Sequence, residues 1–223
     1  MSYILNIETA TTNCSVSLSN QGETLCLVED YNSSYSHAER LHVYIDQVLH
    51  KADITADRLD AVAVSKGPGS YTGLRIGVSA AKGLCYALNI PLISVSTLEA
   101  LAHQVAANDG IIVPMLDARR MEVYAAVFDA QKDLLRETKA EVVDERSYNT
   151  YLERSKVYFI GTGVSKTKNV IQSDNAVFIE DKLPSASTMS KLSYEKLKKN
   201  DIEDVAYFEP YYLKDFIALK PST

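Results

Sequence analysis

The chain contains no tryptophan and, among its 223 residues, only three cysteines and four histidines. Cys14, Cys26 and Cys85 are far apart and include no C-x-x-C pair, which argues against a zinc or disulfide framework and is typical of free thiols in a reducing compartment. No apolar run approaches the ~20 residues that a membrane-spanning helix needs. The first residues carry no basic side chain ahead of their apolar stretch, unlike a secretory signal. We therefore expect a cytoplasmic protein without membrane contact.

The four histidines do not form a zinc motif. His37 and His42 are one position further apart than the histidines of the helical motif H-E-x-x-H, and at ~100° per residue they point ~140° apart. His42, Asp46 and His50 share one helical face, but it is the polar face of an amphipathic helix, for which a solvated surface is the simpler interpretation. No serine or cysteine occupies a G-x-S-x-G elbow. The sequence thus predicts no metal ligand and no catalytic residue.

Positive charge is also scarce, since 23 Lys and Arg against 29 Asp and Glu give a net charge of −6. This balance argues against a broad basic surface for nucleic acid. The hydrophobic content of 46% and the charged content of 23% are ordinary for a globular protein. The length allows one large domain or two of about 100 residues.

Residues 61–87 are the most informative stretch. An apolar run typical of a buried strand leads into a loop, Gly67-Pro68-Gly69-Ser70-Tyr71, and apolar residues at helical spacing follow from Gly73. The motif G-x-x-x-x-G-K-[ST] fails here, because Thr72 and Gly73 stand where it requires glycine and lysine. Binding of an anion by the backbone amides at the start of the helix remains an alternative role for the loop.

The predicted helix after this loop carries small residues along one stripe. Gly73, Gly77, Ala81, Leu84 and Leu88 follow one another at steps of three and four residues. Each glycine inside a helix costs roughly 1 kcal/mol relative to alanine. Close approach of another backbone would compensate, and that backbone belongs either to a partner or to a neighbouring helix of the same chain. The pattern leaves both alternatives open.

A three-stranded meander and another amphipathic helix precede this stretch. The strands are predicted over residues 3–7, 14–18 and 24–29. Ser36 and Glu39 form a capping box that opens a helix reaching position 52. Its apolar stripe holds Leu41, Ile45 and Val48.

The second half of the chain repeats the order of elements of the first half. An offset of 109 residues places Ile7 on Leu116 and Glu8 on Asp117. Further on, a strand leads into Gly161-Thr162-Gly163 much as another leads into the Gly67 loop. We predict two similar α/β lobes, residues 1–107 and 108–223, with a last helix over 185–200 and an aromatic tail that packs back on the first lobe.

Equivalent turns of two such lobes would face each other across a cleft. Glu8 and Asp117, with Thr9 and Thr11, would then hold magnesium and a nucleotide. The alternative for Asp117 is an ordinary turn with an ion pair to a neighbouring arginine. Neither turn supplies the glycines whose amides wrap phosphate.

Four segments resemble the TsaB family, the dimerisation subunits of the bacterial machinery that makes threonylcarbamoyladenosine in tRNA. They are IETATTNCSVSL, SHAERL, KGPGSYTGLRIGVSAAKGL and EPYYL. The resemblance implies the fold of actin, sugar kinases and Hsp70 with a reduced second lobe. It also implies a non-catalytic subunit that pairs with a TsaD-type catalytic subunit, is joined by a TsaE-type ATPase, forms a homodimer when alone, and meets tRNA indirectly. ATP or ADP with magnesium would act at the level of the complex, with no cofactor of its own.

The resemblance further implies that the two helices of the first lobe form the contact surface. Gly73, Gly77 and Ala81 would then admit a partner helix. The apolar burial would come from Leu41, Ile45, Val48, Leu84 and Leu88. The lobe's own core needs part of these stripes. The competing hypotheses are a lone actin-fold ATPase or phosphotransferase that uses Glu8, Thr9, Thr11 and Asp117 and, less favoured, a metallopeptidase.

Overall fold

The computed structural model describes residues 1–31 and 37–214. The predicted cap Ser36 and the end of the predicted tail, from position 215, lie outside the described residues. No helix among the residues that are described is long and apolar enough to cross a membrane.

The first lobe is built on a five-stranded sheet of order β3-β2-β1-β4-β5. Its strands are β1 (Tyr3–Glu8), β2 (Cys14–Asn20), β3 (Glu23–Asp30), β4 (Ala61–Gly67) and β5 (Leu92–Ser96). Strands β1 to β3 pair antiparallel, as the predicted meander requires, and β4 and β5 are parallel to β1. The crossovers are α1 (His37–Lys51) and α2 (Tyr71–Leu88), and a short α3 (Thr97–Ala102) follows β5.

The second sheet repeats this order, which confirms the predicted duplication. Its strands are β6 (Ile111–Asp117), β7 (Glu122–Asp129), β8 (Leu134–Val142), β9 (Val157–Ile160) and β10 (Ala176–Ile179). Read from β8, the order β8-β7-β6-β9-β10 matches the first sheet strand for strand. The crossovers are reduced to α4 (Asn149–Leu152) and α5 (Val164–Thr167), of four residues each. The last helix, α6, spans Ala186–Lys198.

Helices cover both faces of the first sheet. Leu5 and Ile7 of β1 join the cluster under α1 and α2, whereas Ile4 joins Met189 of α6 on the opposite face. Successive strand side chains point to opposite faces, so a strand buried on both sides appears as a nearly continuous apolar run. Helix α3 contributes to both lobes, because Ala100 packs on the first sheet and Leu101 on the second.

Helix α6 contacts the first sheet through buried polar groups as well as apolar ones. The Ser193 hydroxyl donates to the Asn6 side-chain oxygen at 2.7 Å, and the Ala186 amide donates to the Ser15 hydroxyl at 2.9 Å. These groups are buried, and buried polar groups are stable only when they are hydrogen-bonded. The last helix therefore belongs spatially to the first lobe.

After α6 the chain crosses the first lobe as a C-terminal strap, residues 201–214. The Glu203 amide donates to the Leu92 carbonyl at the edge of β5. The Lys82 ammonium of α2 donates to the carbonyls of Ala206 and Phe208, both at 3.0 Å. The strap therefore lies along α2 in its described part.

Candidate interface on the first lobe

The turn between β1 and β2 is sealed inside the lobe. The Glu8 carboxylate accepts hydrogen bonds from the Ala10 amide at 2.6 Å and the Ser65 hydroxyl at 2.9 Å, and the side chain is fully buried. Burial disfavours the charged form and raises the pKa of Glu8 to about 7, although the hydrogen bonds oppose the shift. The Gly67 loop closes the turn, since the Ser70 amide donates to the Ala10 carbonyl at 2.7 Å.

This burial corrects the prediction of an accessible nucleotide site on the turn. Glu8 and Thr9 are fully buried and Thr11 nearly so. The Asp117 side chain, in contrast, is half-exposed, and its carboxylate accepts from the Arg119 amide at 2.6 Å and the Lys166 ammonium at 3.0 Å. The structure does not bring Glu8 and Asp117 into contact. Asp117 follows the alternative of a turn with an ion pair, with a lysine of α5 as the cation.

The small-residue stripe of α2 faces its own lobe. A Cβ atom at Gly73 would lie under 3.0 Å from the Thr9 carbonyl, and one at Gly77 equally close to the Thr9 hydroxyl. Ala81 is fully buried. Thr9 of the β1–β2 turn therefore fills the space beside both glycines, with its carbonyl at Gly73 and its side chain at Gly77. This corrects the prediction that Gly73, Gly77 and Ala81 admit a partner helix.

The predicted apolar contacts of α1 are also corrected. Leu41, Ile45 and Val48 are buried in the cluster that α1 shares with the first sheet, so their side chains are already occupied. Leu84 and Leu88 of α2 are only half-buried and stay predicted contact residues.

An open groove of about 580 Å³ runs between the exposed sides of α1 and α2. It is lined by Ala38, His42, Arg75, Ile76, Ser79, Ala80, Gly83 and Leu84. A Cβ atom at Gly83 would have no described atom within 4 Å. Unlike the buried glycines, Gly83 therefore weakens the helix without a compensating contact in the described part of the chain.

This outward face was not predicted from the sequence, although a signal was present. Ser79, Gly83 and Ala87 form a second stripe of small residues at steps of four, on the exposed side of α2. The α2 helix begins after Ser70, whose hydroxyl accepts from the Gly73 amide at 3.3 Å, and contacts with Thr9 place the Gly77 stripe against the lobe.

Arg75 is the cation of the groove, and aromatic rings hold it. Its guanidinium carbon lies 4.1 Å from the centre of the Tyr71 ring, and its Nε donates to the Tyr212 hydroxyl at 3.2 Å. The two tyrosine rings are 5.0 Å apart. Arg75 forms no ion pair with any residue that the structure describes.

Within the described ranges, no group of three His, Cys, Asp or Glu side chains is arranged to hold a metal ion. The cysteines Cys14, Cys26 and Cys85 are free thiols. Burial is the largest cause that raises the pKa of both Cys14 and Cys85 to about 11, which keeps these two thiols protonated at neutral pH.

The two lobes share one strand order, and the last helix returns to the first lobe. This arrangement defines a protein of the actin, sugar-kinase and Hsp70-like fold class. The solved structure of YeaZ from Pseudomonas aeruginosa matches with a TM-score of 0.82 and 26% identity, over 96% of this chain and 100% of that one. The model of the family described as TsaD, tRNA N6-adenosine threonylcarbamoyltransferase, matches residues 31–221.

Two curated relatives identify the family to which the chain belongs. The tRNA threonylcarbamoyladenosine biosynthesis protein TsaB of Escherichia coli is 31% identical, with 97% of this chain and 96% of that protein aligned. The protein of the same name from Bacillus subtilis is 37% identical over a match that spans 61% of each chain. The chain therefore belongs to the TsaB family, within the wider family that the TsaD model describes.

Proposed function

We propose that this protein is a non-catalytic subunit in the synthesis of threonylcarbamoyladenosine in tRNA, and that it pairs with a TsaD-type catalytic subunit. The observation that carries the proposal is the open groove between α1 and α2, whose small and apolar lining would accept a helix of the partner. Membership of a family whose relatives are named for this biosynthesis supports the pathway.

The buried turn supports the non-catalytic role. In this chain the Glu8 carboxylate, which a lone ATPase of this fold would need at the end of β1, bonds to Ala10 and Ser65 and does not reach the surface. Asp117 is engaged by Lys166. ATP or ADP with magnesium would then act in the assembled complex, which a TsaE-type ATPase joins, and tRNA would be held by the partner.

The same groove would also serve self-association. A chain that is left without its partner would cover the same groove with a second copy, so we expect a homodimer in isolation. The protein would act in the cytoplasm, where tRNA modification takes place.

The interface is tested by filling the groove. Gly83→Leu places a side chain where the groove is open, so it should block association with the TsaD-type subunit and leave the fold intact. The matched control is Gln47→Leu, because Gln47 is exposed on α1 and points ~140° away from His42. Association measured by titration calorimetry should be lost in the first variant and kept in the second.

The function is tested by reconstitution. Threonylcarbamoylation of tRNA by the remaining components of the same organism should require this chain, fail with Gly83→Leu, and be absent with the chain alone. Unchanged modification when the chain is omitted would refute the proposal.

Magnesium-dependent ATP hydrolysis by the lone chain, lost in both Glu8→Gln and Asp117→Asn, would instead support the ATPase hypothesis. Stoichiometric zinc would support the metallopeptidase hypothesis.

A further inference from the structure

The lining of the α1–α2 groove contains basic side chains and, among the described residues, no acidic ones. Arg75 is its permanent cation, and His42 is the other basic side chain in the lining. This is unusual in a chain whose net charge is −6. An occupant of the groove therefore meets positive charge on a small, apolar floor.

Arg75 stands at the edge of the groove without an ion pair to any described residue. A guanidinium has five N–H donors, and the hydrogen bond described for Arg75 uses only Nε, which donates to Tyr212. Its face is occupied by the Tyr71 ring. The side chain is thus held on one side by aromatic rings, and no acidic side chain among the described residues pairs with its terminal nitrogens, which leaves its charge available to a carboxylate across the groove.

The C-terminal strap places Tyr212 beside Arg75. The Tyr211 amide donates to the Lys66 carbonyl at 2.7 Å, one residue before Tyr212, and Lys82 bonds to the strap at the carbonyls of Ala206 and Phe208. Lys214, two residues after Tyr212, pairs with Glu122 of β7. The chain is therefore anchored on both sides of Tyr212, which holds the Tyr212 hydroxyl where it accepts from the Arg75 Nε.

A partner that covers the groove removes water from the guanidinium. An uncompensated charge at an interface is costly, whereas a carboxylate that pairs with a guanidinium in bidentate geometry adds both affinity and orientation. An arginine that is already oriented loses less entropy when it binds than one that is free to rotate.

We propose that the strap positions Arg75 to receive a carboxylate from a helix of the TsaD-type partner, with Tyr212 as the positioning residue. The inference rests on the proposed function and adds the chemistry of the partner's contact. The occupant is a helix with an acidic side chain opposite Arg75. A second copy of this chain as the acid-bearing occupant is a competing outcome.

The test is a double-mutant cycle on binding of the full-length chain to the purified TsaD-type subunit. Arg75→Gln removes the charge and should weaken binding about tenfold or more. Tyr212→Phe keeps the ring against Tyr71, loses only the hydroxyl, and should weaken binding about threefold to tenfold. In the Arg75→Gln background the same Tyr212 change should have no further effect. Tyr207→Phe is the matched control, since Tyr207 is 84% exposed on the same strap.

Two further readouts separate positioning from general stability. The affinity of the wild type should fall as salt rises, and this dependence should be weaker in Arg75→Gln. Solvent exchange of the Arg75 Nε–H, followed by NMR in the free chain, should become faster in Tyr212→Phe and stay unchanged in Tyr207→Phe.

The outcomes are distinct. If the wild type binds and Tyr212→Phe behaves like Tyr207→Phe, or if the two losses simply add, the positioning role is refuted while the proposed function stands. If Arg75→Gln weakens self-association but not binding to the TsaD-type subunit, the inferred occupant is wrong. If the wild type does not bind that subunit at all, the proposed function fails, and this inference fails with it.

Discussion

Helix α2 contains two glycines whose replacement by alanine should have opposite effects on stability. At Gly73 an added Cβ would lie under 3.0 Å from the backbone carbonyl of Thr9, whereas at Gly83 it would meet no described atom within 4 Å. The two substitutions add the same methyl group to the same helix. Their difference therefore reports the packing of each face rather than the chemistry of the change.

The magnitudes follow from two opposing effects. Alanine favours a helix over glycine by roughly 1 kcal/mol, so Gly83→Ala should stabilise the free chain by up to about that amount. At Gly73 the same gain is outweighed, because a rigid carbonyl must move, and overpacking of this kind costs about 1–3 kcal/mol and occasionally more. We expect Gly73→Ala to lose about 2 kcal/mol. For a chain of this size, 1 kcal/mol corresponds to about 2–4 °C in melting temperature.

Thermal and urea unfolding of the two variants, with circular dichroism as the probe, would measure the difference. Gly73→Ala should melt about 4–8 °C below the wild type, and Gly83→Ala at or slightly above it. If Gly73→Ala is as stable as the wild type, the first turn of α2 does not pack against Thr9 and the inward assignment of this stripe is refuted. A loss at Gly83→Ala in the free chain would show that the groove is already filled.

The remaining predictions concern the buried polar groups and the strap. Burial raises the pKa of Glu8 from its ordinary value of 4.5 to about 7 in the folded chain. The stability of the wild type should therefore fall as pH rises between these values, by as much as about 3 kcal/mol. Glu8→Gln should abolish that fall when urea unfolding is compared at pH 5 and pH 8. Asn6→Ala removes the closer acceptor of the Ser193 hydroxyl, which keeps only the Ser190 carbonyl at 3.1 Å, and also removes the donor to the Ser19 hydroxyl. It should cost about 2 kcal/mol or more, with faster hydrogen exchange in α6. Lys82→Met should speed proteolysis within the strap with little change in melting temperature.

Much of the fold was predictable because each sheet element has a strong local signal. The meander, the loop before α2 and the repeat at the end of β1 and β6 all follow from apolar periodicity and turn residues. The strand β10 and the helix α4, each only four residues long, were not predicted from the sequence. Short elements owe their structure to the neighbours that they pair with, and a single sequence does not show those neighbours.

The candidate site was harder to predict, because periodicity identifies a stripe but not what covers it. Helix α2 has two stripes of small residues, one through Gly77 and one through Gly83, about 120° apart at ~100° per residue. Only contacts distant in sequence decide between them, and here Thr9 occupies the first stripe. A leucine at Gly77 would consequently disturb the lobe itself and would not test association. Gly83 weakens the free helix and makes no described contact in return. This position therefore becomes well packed only when another molecule covers the groove.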